Sequence, residues 1–327
     1  MRLFALRLAR DRFTSILSLL LLLGTHVEAA DGWVLPRTEQ GQPDFQGVWL
    51  NATLSPMERP ASQAGQQFLS ADEIIALETR TAQRRASDDA AATVAAGRAI
   101  VSYNQFWRDS GDTVLSTGQT SLIVDPPTGL APIRPAAEQI RDYNFARVTE
   151  SYQHMTVWDR CITRGVPGSM LPAGYNNAYR IVQTEENLAI LYEMIHDVRI
   201  ISLGKQQHID EKIKLWMGDS VAHWEGDTLV VETTNYNDRG MIASSAAGGR
   251  LKGVPITEAL RAVERFTRIS EDTIIWEVTV TDPEIYTQPF TISMPLTRDD
   301  DYVMYEYACH EGNHAVPNIL RGGRVAD

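Results

Sequence analysis

The sequence has little positive charge. Of its 327 residues, 42 are acidic and 30 are basic, which gives a formal net charge of −12. Phosphate binding needs a basic surface, so this balance argues against a nucleic-acid partner. The chain also has no internal repeat and no glycine-rich loop of the phosphate-cradling kind, and we predict no organic cofactor.

Long apolar runs are missing except near the N-terminus, where a basic segment and an apolar run precede a small-residue cleavage motif. These features are Arg2, Arg7, Arg10 and Arg12, the run Ile16–Leu23, and Val27-Glu28-Ala29. The pattern is typical of a secretory signal peptide, and the run is too short to be a transmembrane helix. We predict that residues 1–29 are removed, that no membrane span remains, and that the mature protein is periplasmic or secreted.

Cysteine is scarce, with Cys161 and Cys309 as the only pair. In an oxidising compartment the favoured interpretation is one structural disulfide between them. Two alternatives stay open at this point. Cys309 could act as a nucleophile beside His310, or both residues could be buried thiols.

The second half of the chain is dominated by alternating, β-branched runs separated by turn residues. The central stretch is Trp224–Asn235, in which Glu225-Gly226-Asp227 reads as a turn. Nine strands are predicted: Tyr179–Thr184, Leu188–Ile195, Val198–Leu203, Val221–Glu225, Thr228–Asn235, Leu260–Ile269, Thr273–Thr281, Pro289–Leu296 and Tyr302–Cys309. Closing such a meander into a barrel removes its edges. We therefore predict a mainly β protein, an antiparallel meander closed into a lipocalin- or calycin-like barrel over residues 151–327.

Residues 30–150 are predicted to form an N-terminal arm with a helical and hairpin extension. Ser70-Ala71-Asp72-Glu73 is a capping box that starts a helix reaching about Arg85, and Pro135–Val148 reads as a second helix. Ser121–Ile133 looks like a hairpin. Gly47-Val48-Trp49 resembles the Gly-x-Trp that opens lipocalin barrels, although a tryptophan anchoring the arm is the favoured interpretation.

Several longer motifs carry a resemblance. They are Trp216–Ser220, Trp224–Asn235, Glu264-Arg265-Phe266 and Tyr305–Asn313, together with Arg160-Cys161-Ile162 and Glu193–Asp197. With these motifs the chain resembles a widespread family of uncharacterised exported bacterial proteins. The resemblance covers most of the mature chain and implies a shared architecture.

Tyr192–Arg199 is the densest group of residues capable of acid–base chemistry. If this stretch is extended, Tyr192 and His196 share one face, while Asp197 and Arg199 lie on the other. A hairpin with His196 and Asp197 at its tip would place the imidazole at a barrel rim, where it could serve as a general base. The alternative is an ion pair of Asp197 or Glu193 with Arg199 that only holds the hairpin.

His310 and Glu311 form a second histidine–acid pair at the end of a predicted strand. His310–His314 matches H-E-x-x-H, but Gly312-Asn313 would break the helix that this zinc motif requires, so no metal site is predicted. We predict instead that His310 and Glu311 lie at the rim facing His196. The alternative is a capping role beside the disulfide.

Aromatic residues in the predicted strands could line a pocket for a flat or apolar ligand, although core packing is the default for each alone. The candidate ligand-binding residues are Tyr192, Asn177, Trp224, Trp276 and Tyr305. Mid-strand carboxylates could also line a polar lumen or face solvent, namely Glu193, Glu232, Glu277 and Glu306. The loop Gly240–Val254 could be a lid or a disordered excursion.

Three functions remain open on the sequence. The first is a cofactor-independent acid–base enzyme, such as a lyase, isomerase or hydrolase, with its site at the barrel mouth. The second is a carrier of a small apolar molecule, and the third is a structural envelope protein. In the first two cases the partner is a small molecule. The sequence does not define the oligomeric state.

Overall fold

A computed structural model describes residues 32–95, 109–205 and 207–326 of the protein. The predicted signal peptide, residues 1–29, lies outside this part of the chain. The described chain is mainly β, with three α-helices at Ala71–Ala95 (α1), Pro135–Phe145 (α2) and Ala315–Ala326 (α3). The capping box at the start of α1 is confirmed, since Ser70 N and the Glu73 carboxylate are 2.8 Å apart and Glu73 N lies 3.3 Å from Ser70 Oγ.

Ten strands form a single sheet. They are β1 (Gly47–Leu50), β2 (Ile123–Asp125), β3 (Ala178–Gln183), β4 (Asn187–Tyr192), β5 (Val198–Ser202), β6 (Asp219–Glu225), β7 (Thr228–Thr234), β8 (Arg261–Arg268), β9 (Thr273–Thr281) and β10 (Phe290–Arg298). The strand order is β1-β3-β4-β5-β6-β7-β8-β9-β10-β2, and β1 also pairs with β10. Nine strands therefore close into a barrel, while β2 adds to β10 outside the closure.

The barrel is closed by β1, which belongs to the predicted N-terminal arm. It pairs antiparallel with β3 on one side and with β10 on the other. Trp49 is completely buried, and the guanidinium carbons of Arg268 and Arg298 lie 5.4 and 5.9 Å from its ring centroid. Gly47-Val48-Trp49 is thus the closing strand, and its buried tryptophan also anchors the arm to the barrel, as the favoured interpretation stated.

Two strand predictions fail in the second half of the chain. The β5–β6 pair is parallel, because the connection over residues 203–218 returns the chain to the start of its neighbour. The barrel is therefore mixed.

Tyr302–Cys309 forms no strand, since β10 already pairs with β9, β2 and β1 and leaves it no place in the barrel. Ser121–Ile133 is not a hairpin either, because β2 pairs with β10.

Apolar side chains from the barrel and the loops around it form one continuous core. It includes Tyr192, Tyr236, Phe266, Trp276 and Met294, each no more than 2% exposed. The loop Gly240–Val254 is packed into this core through Ile242, Leu251 and Val254. It is therefore an ordered part of the fold, and the disordered interpretation was wrong. No helix in the described part of the chain is long and apolar enough to cross a membrane.

Candidate functional site

The inside of the barrel holds one buried charged pair. Arg199 on β5 and Glu264 on β8 are both almost fully buried, and two hydrogen bonds of 3.1 and 2.5 Å join the guanidinium to the carboxylate. Such a bidentate pair has a defined geometry and needs its remaining donors and acceptors filled. Burial alone would lower the pKa of Arg199, but the facing Glu264 carboxylate raises it overall, so the guanidinium stays charged.

Neighbouring strands supply those remaining partners. Arg199 donates to Ser220 Oγ at 3.0 Å and to Thr233 Oγ1 at 2.8 Å, and Trp276 Nε1 donates to Glu264 at 3.0 Å. The Tyr192 side chain is also buried, which raises the pKa of its hydroxyl to about 12. The structure thus brings Tyr192, Arg199 and Trp276 together, but inside a packed core.

The other aromatic candidates lie elsewhere. Trp224 is partly buried and packs against Phe45, with ring centroids 5.6 Å apart. Tyr305 is 72% exposed and lies outside the barrel. The predicted ligand-binding aromatics therefore do not line one common pocket.

Glu264 was not singled out as a candidate site residue, although its strand carries a usable signal. In β8 the buried positions alternate, and Glu264 shares its face with Ala262 and Phe266. A carboxylate on an otherwise apolar face must find a buried partner, because an unpaired buried charge is costly. Of the mid-strand candidates, Glu193 is also buried, whereas the others are not. Glu232, for example, is partly exposed and pairs with Arg261 on the outer surface.

A second region surrounds the bond between Cys161 and Cys309, whose Cα atoms are 5.5 Å apart. The predicted disulfide is confirmed, so a free nucleophilic Cys309 and the pair of buried thiols are both excluded in this structure. The bond joins the C-terminal segment to the segment around Cys161, and the C-terminal segment also packs against the β4–β5 hairpin. There Tyr307 packs with Met194 and Ile195.

His196 and Asp197 lie at the tip of this hairpin, as one of the predictions stated. The extended arrangement is wrong, because β4 ends at Tyr192 and both Ile195 and His196 have positive φ, 67° and 47°. Non-glycine residues rarely adopt this conformation, and it costs conformational energy. Consequently Tyr192 is buried whereas His196 is exposed.

The hairpin tip does not assemble the predicted acid–base pair. His196 Nδ1 lies 2.7 Å from the Tyr307 carbonyl oxygen, while Asp197 accepts a 2.7 Å hydrogen bond from Thr163 Oγ1. Arg199 points into the barrel and pairs with Glu264, so it forms the predicted ion pair with neither Asp197 nor Glu193. His310 and Glu311 are exposed residues in the turns before α3. No hydrogen bond or ion pair in the described chain joins their side chains to His196.

Asn177 has a structural position next to two carboxylates. Its side chain accepts from Ala173 N at 2.7 Å and donates to the carbonyl oxygens of Ala173 and Asp109. Glu193 nearby is 2% exposed and accepts hydrogen bonds from Tyr302 Oη at 2.9 Å and Tyr305 N at 3.1 Å. Burial raises the pKa of Asp109, and the Glu193 charge adds to this effect.

An accessible candidate site is a cavity of about 600 Å³ outside the barrel, between the N-terminal arm, α1 and the packed loop. We call it the arginine cleft. Its lining is Thr53, Leu54, Ser55, Pro56, Met57, Glu58, Arg84, Arg85, Ser110, Leu122, Pro172, Ala246, Ala247, Gly249 and Arg250. None of these described lining residues is aromatic, and none was a predicted site residue, although Ala246, Ala247, Gly249 and Arg250 belong to the loop Gly240–Val254 that was predicted as a possible lid.

Comparison of the chain with protein-family models, with curated proteins and with solved structures found no match. Membership of the exported bacterial family therefore stays a prediction from the motifs.

Proposed function

We propose that this is an exported, periplasmic or secreted protein that binds a small molecule in the arginine cleft without changing it. The observation that carries the proposal is the cleft itself. Ligand sites typically occupy about 300–1,000 Å³, with mostly apolar walls and a few polar groups. The cleft falls within this range and combines Leu54, Pro56 and Met57 with charged residues.

The packed interior supports a cleft site over a barrel-mouth carrier. The inward side chains around Arg199 and Glu264 are buried and hydrogen-bonded to one another. A ligand entering there would have to separate a buried ion pair, and leaving either charge without its partner is strongly unfavourable. Export is supported by the disulfide, because such bonds persist in oxidising compartments.

The proposal can be tested by blocking the cleft. Ala247 lines it, is exposed, and has its backbone N–H bonded to the hydroxyl of Ser245, so Ala247→Trp should fill the space with little change to the fold. Ala259→Trp is the matched control, since this exposed alanine has the same backbone bond to Thr257 Oγ1 away from the cleft.

The measurement is a thermal-shift screen of the mature protein against metabolites. A ligand at about 100 times its Kd should stabilise the fold by about 2.7 kcal/mol. We expect hits that disappear in Ala247→Trp and persist in Ala259→Trp. Hits that survive equally in both variants would place the ligand elsewhere and overturn the cleft proposal.

An acid–base enzyme is the second candidate, favoured by the hairpin tip. Positive φ at two consecutive non-glycine residues is stored strain of the kind found at functional sites. The Tyr307 carbonyl would hold a proton on Nδ1 of His196 and leave Nε2 as the basic atom. Once a substrate is found, His196→Gln should lower kcat/KM by about 100-fold with an unchanged melting temperature. Full activity would exclude this role.

A further inference from the structure

The charges around the arginine cleft differ in sign from those of the whole protein. Its charged lining residues are Arg84, Arg85 and Arg250 against Glu58, that is, three positive and one negative. The chain as a whole carries −12. The lining residues therefore carry a net charge of +2 (three positive against one negative), but Asp112 and Glu138 beside the cleft pair with Arg85 and Arg250 and leave Arg84 as the arginine without a carboxylate partner in the described chain.

Two of the three arginines are already fixed by the fold. Arg85 donates to Ser110 Oγ at 2.9 Å and to Gly111 O at 2.7 Å, and it also pairs with Asp112. Arg250 bonds to Glu58 at 3.1 Å and to Glu138 at 2.8 Å. These contacts hold both guanidinium groups in place at the edge of the cavity.

Arg84 is different. Its side chain reaches the cleft from the exposed side of α1 and makes no hydrogen bond or ion pair within the described part of the chain. A guanidinium presents parallel N–H donors that match the two oxygens of a carboxylate. Arg84 is thus the cation with donors available for a ligand.

The apolar part of the lining defines the rest of the ligand. Leu54 and Pro56 contribute partly exposed aliphatic surface, the buried Met57 and Leu122 lie beneath it, and a methionine side chain can adapt to a flexible chain. Flat ligands are usually held by aromatic rings, which the described lining does not provide. An aliphatic body with one anionic head fits both halves of this surface.

We propose that the arginine cleft binds an aliphatic carboxylate, with its head group paired to Arg84 and its alkyl chain on Leu54, Pro56 and Met57. This inference rests on the proposed function and adds the chemical class of the ligand. The probes are decanoate and 1-decanol, which share a chain length and differ in charge.

The test is calorimetric titration of the mature protein at neutral pH. Decanoate should bind saturably and at least about tenfold more tightly than 1-decanol, the equivalent of about 1.4 kcal/mol for one charged pair. Arg84→Gln should remove most of this preference. Arg80→Gln, one turn earlier on the exposed side of α1 and outside the cleft lining, should leave the affinity within about twofold.

The outcomes separate the two proposals. If Ala247→Trp removes metabolite hits but decanoate fails to bind, or binds equally well to Arg84→Gln, the binding function stands and the carboxylate assignment is overturned. If Ala247→Trp leaves every hit intact, the cleft proposal itself fails. Decanoate binding that is lost in Arg84→Gln and in Ala247→Trp, and kept in both controls, supports the assignment.

Discussion

The barrel interior and the arginine cleft each contain arginine, but the guanidinium group of Arg199 in the first is buried and paired, whereas that of Arg84 in the second is exposed and unpaired within the described chain. Arg199 is sealed inside and shares its donors among Glu264, Ser220 and Thr233. Arg84 lies at the surface and has no partner in the described chain. Burial of a charge demands complete pairing, whereas water tolerates an unpaired one. The donors of Arg199 are therefore used up within the fold, and the cation that can accept a ligand lies outside the barrel.

The largest expected effect comes from breaking the interior pair. Glu264→Gln leaves the buried Arg199 without its counter-charge, so the free energy of unfolding should fall by about 3–5 kcal/mol. The matched control is Glu232→Gln, which breaks the exposed Arg261–Glu232 pair and should cost no more than about 1 kcal/mol. Urea unfolding of the three proteins measures the difference. Equal losses would show that the buried pair has no special role.

The double variant Arg199→Met with Glu264→Leu tests whether the uncompensated charge causes the loss of stability. Replacing both partners removes the uncompensated charge, so the double variant should be more stable than Glu264→Gln alone. The unfolding midpoint in urea checks this. A double variant less stable than the single one would mean that the hydrogen bonds to Ser220 and Thr233 matter more than the charge balance.

The disulfide should have the next largest effect. It closes a loop of 148 residues, and its removal in Cys161→Ser with Cys309→Ser should lower the free energy of unfolding by about 2–5 kcal/mol. Reductant should lower the stability of the wild type and leave the double variant unchanged. Two free thiols in the mature protein without reductant, measured by mass spectrometry, would contradict the bond.

A smaller, pH-dependent effect is expected at Asp109. Burial and the Glu193 charge raise its pKa in the folded chain, against opposing contributions from Asn177 and Arg85. The folded state therefore keeps this proton to higher pH than the unfolded state, where aspartate titrates near about 3.9. The free energy of unfolding of the wild type should therefore decrease as pH rises from that value through the raised folded pKa of Asp109. Asp109→Asn should become relatively more stable over that window.

Asp272→Asn is the control with the opposite sign. Hydrogen bonds from Ser270 and Thr273 lower the Asp272 pKa, so its contribution is present above about pH 3.9 and is lost as pH falls through the folded pKa. Urea midpoints measured at about pH 2, about pH 4 and about pH 7 distinguish the two aspartates, since the Asp272 contribution changes mainly between the first two values and that of Asp109 mainly above about pH 4. A constant difference between Asp109→Asn and the wild type across this range would contradict the role of burial.

The strands could be predicted from the sequence because their signal is local. Period-two alternation located eight of the barrel strands within a few residues, and β9 at its full length of Thr273–Thr281. The alternation pattern failed at Ile195 and His196. The residue types continue the pattern there, but both residues have positive φ, so the strand has already ended. It also failed at Tyr302–Cys309, since strand pairing depends on which edges are already occupied.

The candidate site was harder to predict, because it is made of distant segments. The arginine cleft joins residues from the arm, from α1 and from the loop after β7, and no periodic pattern links Met57, Arg84 and Ala247. The disulfide was predictable from one cysteine pair together with the predicted signal peptide. The Arg199–Glu264 pair was half predictable, since Glu264 stands out on an apolar face but its partner is 65 residues away.

If the proposal is correct, the ligand occupies the cleft and leaves the barrel core untouched. Methyl NMR of methionine-labelled protein tests it directly, since Met57 lines the cleft and Met294 lies in the barrel core, with both side chains buried. Titration with decanoate should shift the Met57 methyl resonance saturably and leave that of Met294 unchanged. A saturable shift of Met294 with Met57 unmoved would place the ligand in the barrel and contradict the account.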